Sequence, residues 1–147
     1  MTHQIIPVTQ LSEDESWALL AGQPVGRLAT SVAGRPDIYP VNYVLDDHTV
    51  VFKTERGSKL LELTINDRVA FEVDDWREGL GGWSVVCRGQ AEKIEDPDER
   101  ERAEELPLHP WVPTPKTVYV RIVVDDISGR SFRFNAEEAA PGIELGD

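Results

Sequence analysis

Asp37-Ile38-Tyr39-Pro40-Val41-Asn42-Tyr43-Val44-Leu45, then Asp46-Asp47-His48, then Thr49-Val50-Val51-Phe52-Lys53-Thr54 reads as two strands joined by a tight turn. The run continues through Glu55-Arg56-Gly57-Ser58-Lys59 into a short helix from Lys59 to Ile65, because Leu60, Leu61 and Leu63 cannot share a period of two. Alternation places Ile38, Pro40, Asn42 and Val44 on one face of the first strand and Tyr39, Val41, Tyr43 and Leu45 on the other. Pro40 has no N–H to give a neighbouring strand, so it marks an edge or an interrupted ladder. Asn42, if buried, needs hydrogen-bond partners.

Outward from this hairpin the same pattern repeats. Val25–Val32 is a strand closed by Ala33-Gly34-Arg35-Pro36; Arg68–Trp76 follows, with Val69, Phe71 and Val73 on one face. Trp83–Ile94 is a long strand in which Gly89 marks a bulge or a close approach. Thr117–Ile127 is a strand, Ser128-Gly129 a turn, and Ser131–Phe134 a last short strand. Two further helices announce themselves by their starts: Ser12-Glu13-Asp14-Glu15 has the capping-box form, and Asp96-Pro97-Asp98-Glu99 combines a capping aspartate with proline at the first helical position. Residues 1–11 read as an extended lead-in, residues 107–116 as a stiff proline-rich loop, and residues 135–147 as an acidic tail outside a single domain at 1–134. Six or seven hairpin-connected strands with three short helices predict a mainly β protein, a small antiparallel barrel, because closure removes exposed strand edges.

Composition narrows the partners. The 147 residues carry a formal net charge of -12, which disfavours nucleic acid, whose phosphates would be repelled. No apolar run approaches the roughly 20 residues of a bilayer-spanning helix, and the start lacks the pattern of a signal peptide, so the expected location is the cytoplasm. The single cysteine, Cys87, rules out an internal disulfide and is expected to be a core thiol. His3, His48 and His109 lack ligand partners at metal-site spacing, so no metal site is expected. Residues 92–105, with eight acids against three bases, read as a solvated face. No nucleophile stands in an elbow motif, and no catalytic residue is assigned.

One segment departs from the acidic background. Residues 53–68 hold four bases against three acids, and Ser58 and Lys59 fall where a helix begins. Free amides at a helix start attract an anion, Gly57 lets the backbone come close, and the hydroxyls of Thr54 and Ser58 with the Lys59 ammonium would complete a phosphate site. A capped helix with a solvent-facing lysine is the plain alternative.

The series Val25-Gly26-Arg27-Leu28-Ala29, Tyr39-Pro40-Val41-Asn42-Tyr43, Val51-Phe52-Lys53-Thr54, Gly57-Ser58-Lys59, Val69-Ala70-Phe71-Glu72-Val73-Asp74 and Trp83-Ser84-Val85-Val86-Cys87-Arg88-Gly89-Gln90-Ala91 resembles the pyridoxamine 5'-phosphate oxidase-like flavoproteins, nearest to their actinobacterial and nitroimidazole-resistance-type branch. The resemblance implies a split β-barrel of the FMN-binding type, a homodimer with the cofactor at the subunit interface. Thr54, Ser58 and Lys59 match the phosphate-binding positions; Pro40, Val41, Asn42 and Tyr43 match the strand that lines the isoalloxazine ring; Ser84 matches a flavin-contacting position. Trp76, Trp83 and Trp111 are expected to stack on the ring or wall the pocket. The oxidase proper carries an arginine at the start of the ring-lining strand, where this chain has Ile38-Tyr39-Pro40, as well as a basic set for pyridoxal phosphate, so that particular activity is not expected here. The resemblance implies an oxidoreductase that passes hydride or electrons to a small planar or nitroaromatic substrate. Its alternatives are a flavin- or haem-binding protein without turnover and an F420-dependent reductase.

Overall fold

The computed structural model of the chain describes residues 7–109, 111 and 116–134. Among them the order of elements is β1 (Val8–Leu11), α1 (Glu13–Ala21), β2 (Val25–Val32), β3 (Arg35–Asp46), β4 (Thr49–Thr54), α2 (Ser58–Ile65), β5 (Arg68–Arg77), β6 (Gly81–Lys93), α3 (Pro97–Glu104) and β7 (Val118–Arg133). The acidic tail at 135–147 and His3 lie outside the described residues. No described helix is long and apolar enough to cross a membrane.

The strands form one antiparallel sheet in the order β1-β7-β4-β3-β2-β5-β6, and β6 pairs back onto β7 to close the ring. Inward-facing side chains, among them Leu28, Phe52, Phe71, Val85 and Ile122, are fully buried and fill the barrel. Cys87 joins them, and burial followed by the nearby Asp126 carboxylate pushes its thiol up to about 12. That is a packed thiol, with no thiolate to offer near neutral pH.

Two readings, one at each end of the chain, need correction. No turn occurs at Ser128-Gly129: the last two predicted strands are one continuous strand of sixteen residues. One edge of β7 pairs with β6, while its other edge serves β4 through residues 118–123 and β1 through residues 129–132. Gly129 answers a packing need, since a Cβ there would stand 2.4 Å from Ser16 Oγ on α1. The lead-in likewise contributes a strand, Val8–Leu11, because β7 extends past β4 and offers it a free edge. Gly89 behaves as read: the β6–β7 register shifts between Arg88 and Gly89, and a Cβ at 89 would meet the Val123 carbonyl oxygen at 2.0 Å.

Helix α3 covers the outside of the wall made by β4 and β7, closing a second apolar cluster of Val51, Ile94, Ala103 and Tyr119. Its acidic face is more than solvated surface. Arg121 on β7, with 15% of its side chain exposed, reaches Glu99 of α3 at 3.2 Å and Asp46 at 2.8 Å, and also donates to Thr49 Oγ1 at 2.7 Å. Arg121 thereby clamps α3 to the β3–β4 hairpin.

On the outer face of β2 and β5, the Arg27 guanidinium bridges Glu72 at 2.9 Å and Asp74 at 3.2 Å. Burial raises the Glu72 carboxyl from 4.5 to about 7, helped by hydrogen bonding with and repulsion from Asp74 and opposed by Arg27. A carboxyl raised on folding binds its proton more tightly in the folded state, so its contribution to stability falls as pH rises through that interval. Glu72→Gln should therefore raise the melting temperature relative to the parent more at pH 8 than at pH 5. Equal shifts at both pH values would show that Glu72 is an ordinary surface carboxylate.

Candidate functional site

The seam of the barrel opens between β3 and β4. Their ladder spans only Tyr43↔Phe52 to Asp46↔Thr49, whereas β3 stays paired to β2 from Arg35 to Asn42. Pro40 lies in the half-paired stretch, where a missing N–H costs least. The interrupted ladder expected from Pro40 is thus present, and it leaves one edge of β3 without a strand neighbour.

A cavity of about 250 Å³ occupies this seam. Pro40, Val41 and Asn42 form one wall, Leu108 and Trp111 from the loop after α3 form another, and Lys53, Lys59 and Lys116 converge on it. No carboxylate lines it among the described residues. Lys53 Nζ stands 5.1 Å from the Tyr119 ring centroid and Lys59 Nζ 5.3 Å from that of Tyr39, so aromatic faces partly offset the positive charge. Lys59 is half-buried; burial first, and the Lys116 ammonium second, push its pKa below the usual lysine value, with Glu55 opposing. Three ammonium groups brought together without a lining anion make a site that gains by taking one.

The start of α2 adds backbone donors. Gly57 occupies the cap position with extended backbone, no side chain caps the helix, and its first turn has no acidic residue. The other two helices are capped from within: Ser12 accepts from Glu15 N–H at 3.1 Å, and Asp96 accepts from Glu99 N–H at 3.0 Å. α2 therefore presents its first amides and a partial positive charge, with Ser58 and Lys59 as its opening residues. The helix is held in place by Glu62, which accepts from Thr30 Oγ1 at 2.6 Å and Tyr39 Oη at 2.8 Å. Those bonds lower the Glu62 carboxyl and, with desolvation, push the Tyr39 phenol up to about 12.

Asn42 finds the partners its position demands. Its Nδ2 donates to the Pro24 carbonyl at 3.4 Å, and its Oδ1 accepts from the Trp111 N–H at 2.9 Å, which fastens the loop after α3 across the seam. The remaining predicted residues lie differently. Tyr43 turns into the core, its hydroxyl donating to the Leu20 carbonyl and its ring meeting Phe71 edge-on at 4.9 Å. Thr54 is 3% exposed, and its hydroxyl donates to the Glu55 carbonyl at 3.3 Å. Ser58 is exposed at the start of α2. Ser84 sits on β6, three strands round the ring from β3 in either direction, so a single chain does not bring it to the seam.

Of the tryptophans, Trp111 walls the seam, whereas Trp76 and Trp83 line a separate cavity at the β5–β6 end with Leu80 and Phe132. His48 stacks on Trp17 at 4.5 Å between ring centroids, and His109 borders a neighbouring cavity. Sequence reading did not assign Lys53 and Lys116 to the site. Lys53 carried a weak signal, as a base directly before Thr54; Lys116 carried none, because only folding brings it to Lys59.

An antiparallel barrel split along one seam, with three lysines gathered at the split, defines a split-barrel protein. The chain belongs to the pyridoxamine 5'-phosphate oxidase family, whose model matches residues 12–131. It is 33% identical over 140 residues to an uncharacterized protein of Mycobacterium tuberculosis, covering 91% of this chain and 90% of that one. Its fold superposes on a putative pyridoxamine 5'-phosphate oxidase of Corynebacterium glutamicum with a TM-score of 0.79 and 35% identity, covering 90% of this chain and 99% of that one. It also superposes on an FAD-binding protein of Mycobacterium smegmatis with a TM-score of 0.75 and 39% identity, covering 86% of this chain and 99% of that one.

Proposed function

We propose that the protein binds FMN at the seam and acts as a flavin-dependent oxidoreductase on a small planar or nitroaromatic compound. The observation that carries this reading is the joining of an uncapped helix start with Lys53, Lys59 and Lys116 beside the half-paired edge of β3. A terminal phosphate, with nearly two charges and three acceptor oxygens, suits that donor set. In this reading Lys59, Ser58 and the first amides of α2 hold the phosphate, with Thr54 shaping the turn from inside. Pro40, Val41 and Asn42 support the ring, and Tyr43 stiffens the same strand from the core. When bound, the flavin supplies the hydride or electron chemistry, while the chain binds, orients and excludes water. The FAD-binding relative of Mycobacterium smegmatis supports a flavin as the ligand.

The same reading calls for a homodimer. A cavity of about 250 Å³ is smaller than the ~300–1,000 Å³ that encloses a drug-sized ligand, so a flavin here keeps much of its ring outside one chain. A second subunit would cover the ring and supply the Ser84 contact that one chain does not make.

Purified protein is expected to be yellow with a flavin band, and to sediment as a dimer at micromolar concentration. Colourless protein that takes up no FMN in titration would defeat the cofactor assignment. A Soret band would favour haem, uptake of F420 without FMN would favour the deazaflavin, and a monomer that binds FMN fully would remove the interface site.

A further inference from the structure

On the far side of the hydrogen bond between Asn42 and Trp111 lies a second cavity, of about 550 Å³. It is a cleft open to solvent, lined by the end of α1 and the turn after it (Leu20–Pro24), by Tyr43–Leu45 of β3, and by Pro107, His109 and Trp111. The volume falls within the ~300–1,000 Å³ typical of small-molecule sites. We propose that this cavity is the substrate site, and that it takes an uncharged, flat, ring-bearing molecule. Its role as a substrate site rests on the cofactor reading of the lysine-lined seam; its capacity to bind such a molecule does not.

Charge is the first argument. The seam gathers three ammonium groups, yet no lysine, arginine, aspartate or glutamate lines the second cavity among the described residues. An ionised group entering it would give up hydration and gain no counter-ion. The walls are more apolar than polar, from Leu20, Val44, Leu45, Pro107 and Trp111; the polar side chains are Gln23, Asn42, His109 and Tyr43, whose hydroxyl is already given to the Leu20 carbonyl. That balance suits a molecule with carbonyl or nitro oxygens on an apolar ring. A phosphorylated substrate would meet no lysine or arginine among the described lining residues.

Position is the second argument. Asn42 and Trp111 line both cavities, so a molecule in one touches the same two residues as a molecule in the other. Asn42 spends its carbonyl on Trp111 and makes one long bond from Nδ2, at 3.4 Å, which leaves its second amide proton to give. The wall between the two volumes is therefore a polar hinge with a donor, suited to orienting a ring oxygen beside the cofactor.

Gly22 supplies a clean test. It borders the second cavity and not the first; a Cβ there would meet nothing closer than the Leu19 carbonyl oxygen at 3.7 Å, and its φ of -93° suits any residue. Gly22→Phe should fill the cavity without straining the backbone. Menadione, an uncharged quinone, is titrated into parent and variant while tryptophan emission is followed; an added phenylalanine leaves that signal unchanged. The parent is expected to show saturable quenching, and Gly22→Phe to weaken it about tenfold or more, with unchanged circular dichroism and unchanged FMN uptake. The component of quenching sensitive to Gly22→Phe should be about tenfold weaker again for the anionic 1,4-naphthoquinone-2-sulfonate. Equal menadione affinity in the two proteins, or equal affinity for the sulfonate, would overturn the proposal. Menadione binding lost with Gly22→Phe in a protein that takes up no flavin would support the cavity and defeat the cofactor reading alone.

Discussion

Lys59→Ala is expected to weaken FMN binding by about ten- to a hundredfold, the counterpart of roughly 1.5–3 kcal/mol for a hydrogen bond to a charged group. The effect is large for a lysine because Lys59 is half-buried, so much of its hydration has already been given up in the folded protein. A phosphate arriving there meets a poorly screened ammonium. It also relieves the repulsion between Lys59 and Lys116 that helps lower the Lys59 pKa. The loss stays short of complete because Lys53, Lys116 and the uncapped amides of α2 remain. Binding should weaken as pH rises through the lowered Lys59 pKa, at a lower pH than an ordinary lysine would impose, and this step should vanish in Lys59→Ala. Titration of FMN fluorescence with each protein, with thermal melting as the check on folding, measures the effect. An affinity within twofold of the parent in a folded variant would remove Lys59 from the phosphate site.

Phe71→Ala is expected to destabilise the fold by about 3–5 kcal/mol, the usual loss for a fully buried phenylalanine whose space cannot collapse. Phe71 is 0% exposed, stands edge-on to Tyr43, and occupies the space that a side chain at position 26 would otherwise take. A Cβ at Gly26 would lie 2.2 Å from the tip of that ring. The barrel is closed around the contact, with β2 paired to both β3 and β5, so neither residue can retreat. Urea unfolding of parent and variant gives the loss directly; a change below about 1 kcal/mol would contradict the packing described. The contact makes a second, sharper demand. Gly26→Val should harm the parent severely and the Phe71→Ala background much less, because the two substitutions share one volume. FMN affinity should fall with Phe71→Ala as well, since the loosened ring releases Tyr43 and through it the β3 wall.

Several features were legible before folding because their causes are local. The capping box at Ser12 and the Asp96-Pro97 start identify helix ends through bonds made within four residues. Val69, Phe71 and Val73 show by alternation which face of β5 is inside. Pro40 signalled an interrupted ladder because a missing N–H belongs to the residue itself, and Gly89 signalled close approach because a missing Cβ does too. Gly129 shows where this kind of reading fails. Its lack of a side chain looked like a turn, but the cause is α1, more than a hundred residues earlier, pressing Ser16 against β7.

Local patterning along the chain pointed to a small antiparallel barrel with three short helices, and it singled out the strand at Tyr39–Tyr43 and the turn at Thr54–Lys59. Alternation, capping and turn chemistry act over a few residues and survive without a fold. Tertiary structure alone decided what those two pieces face. It closed β6 onto β7, placed Ser84 on the opposite side of the ring, turned Tyr43 into the core, and brought Lys116 and Trp111 to the seam. The physical reason is that charge and volume add in space: three ammonium groups, a shared Asn42 and two adjoining cavities come from segments separated by dozens of residues, joined only when the barrel closes.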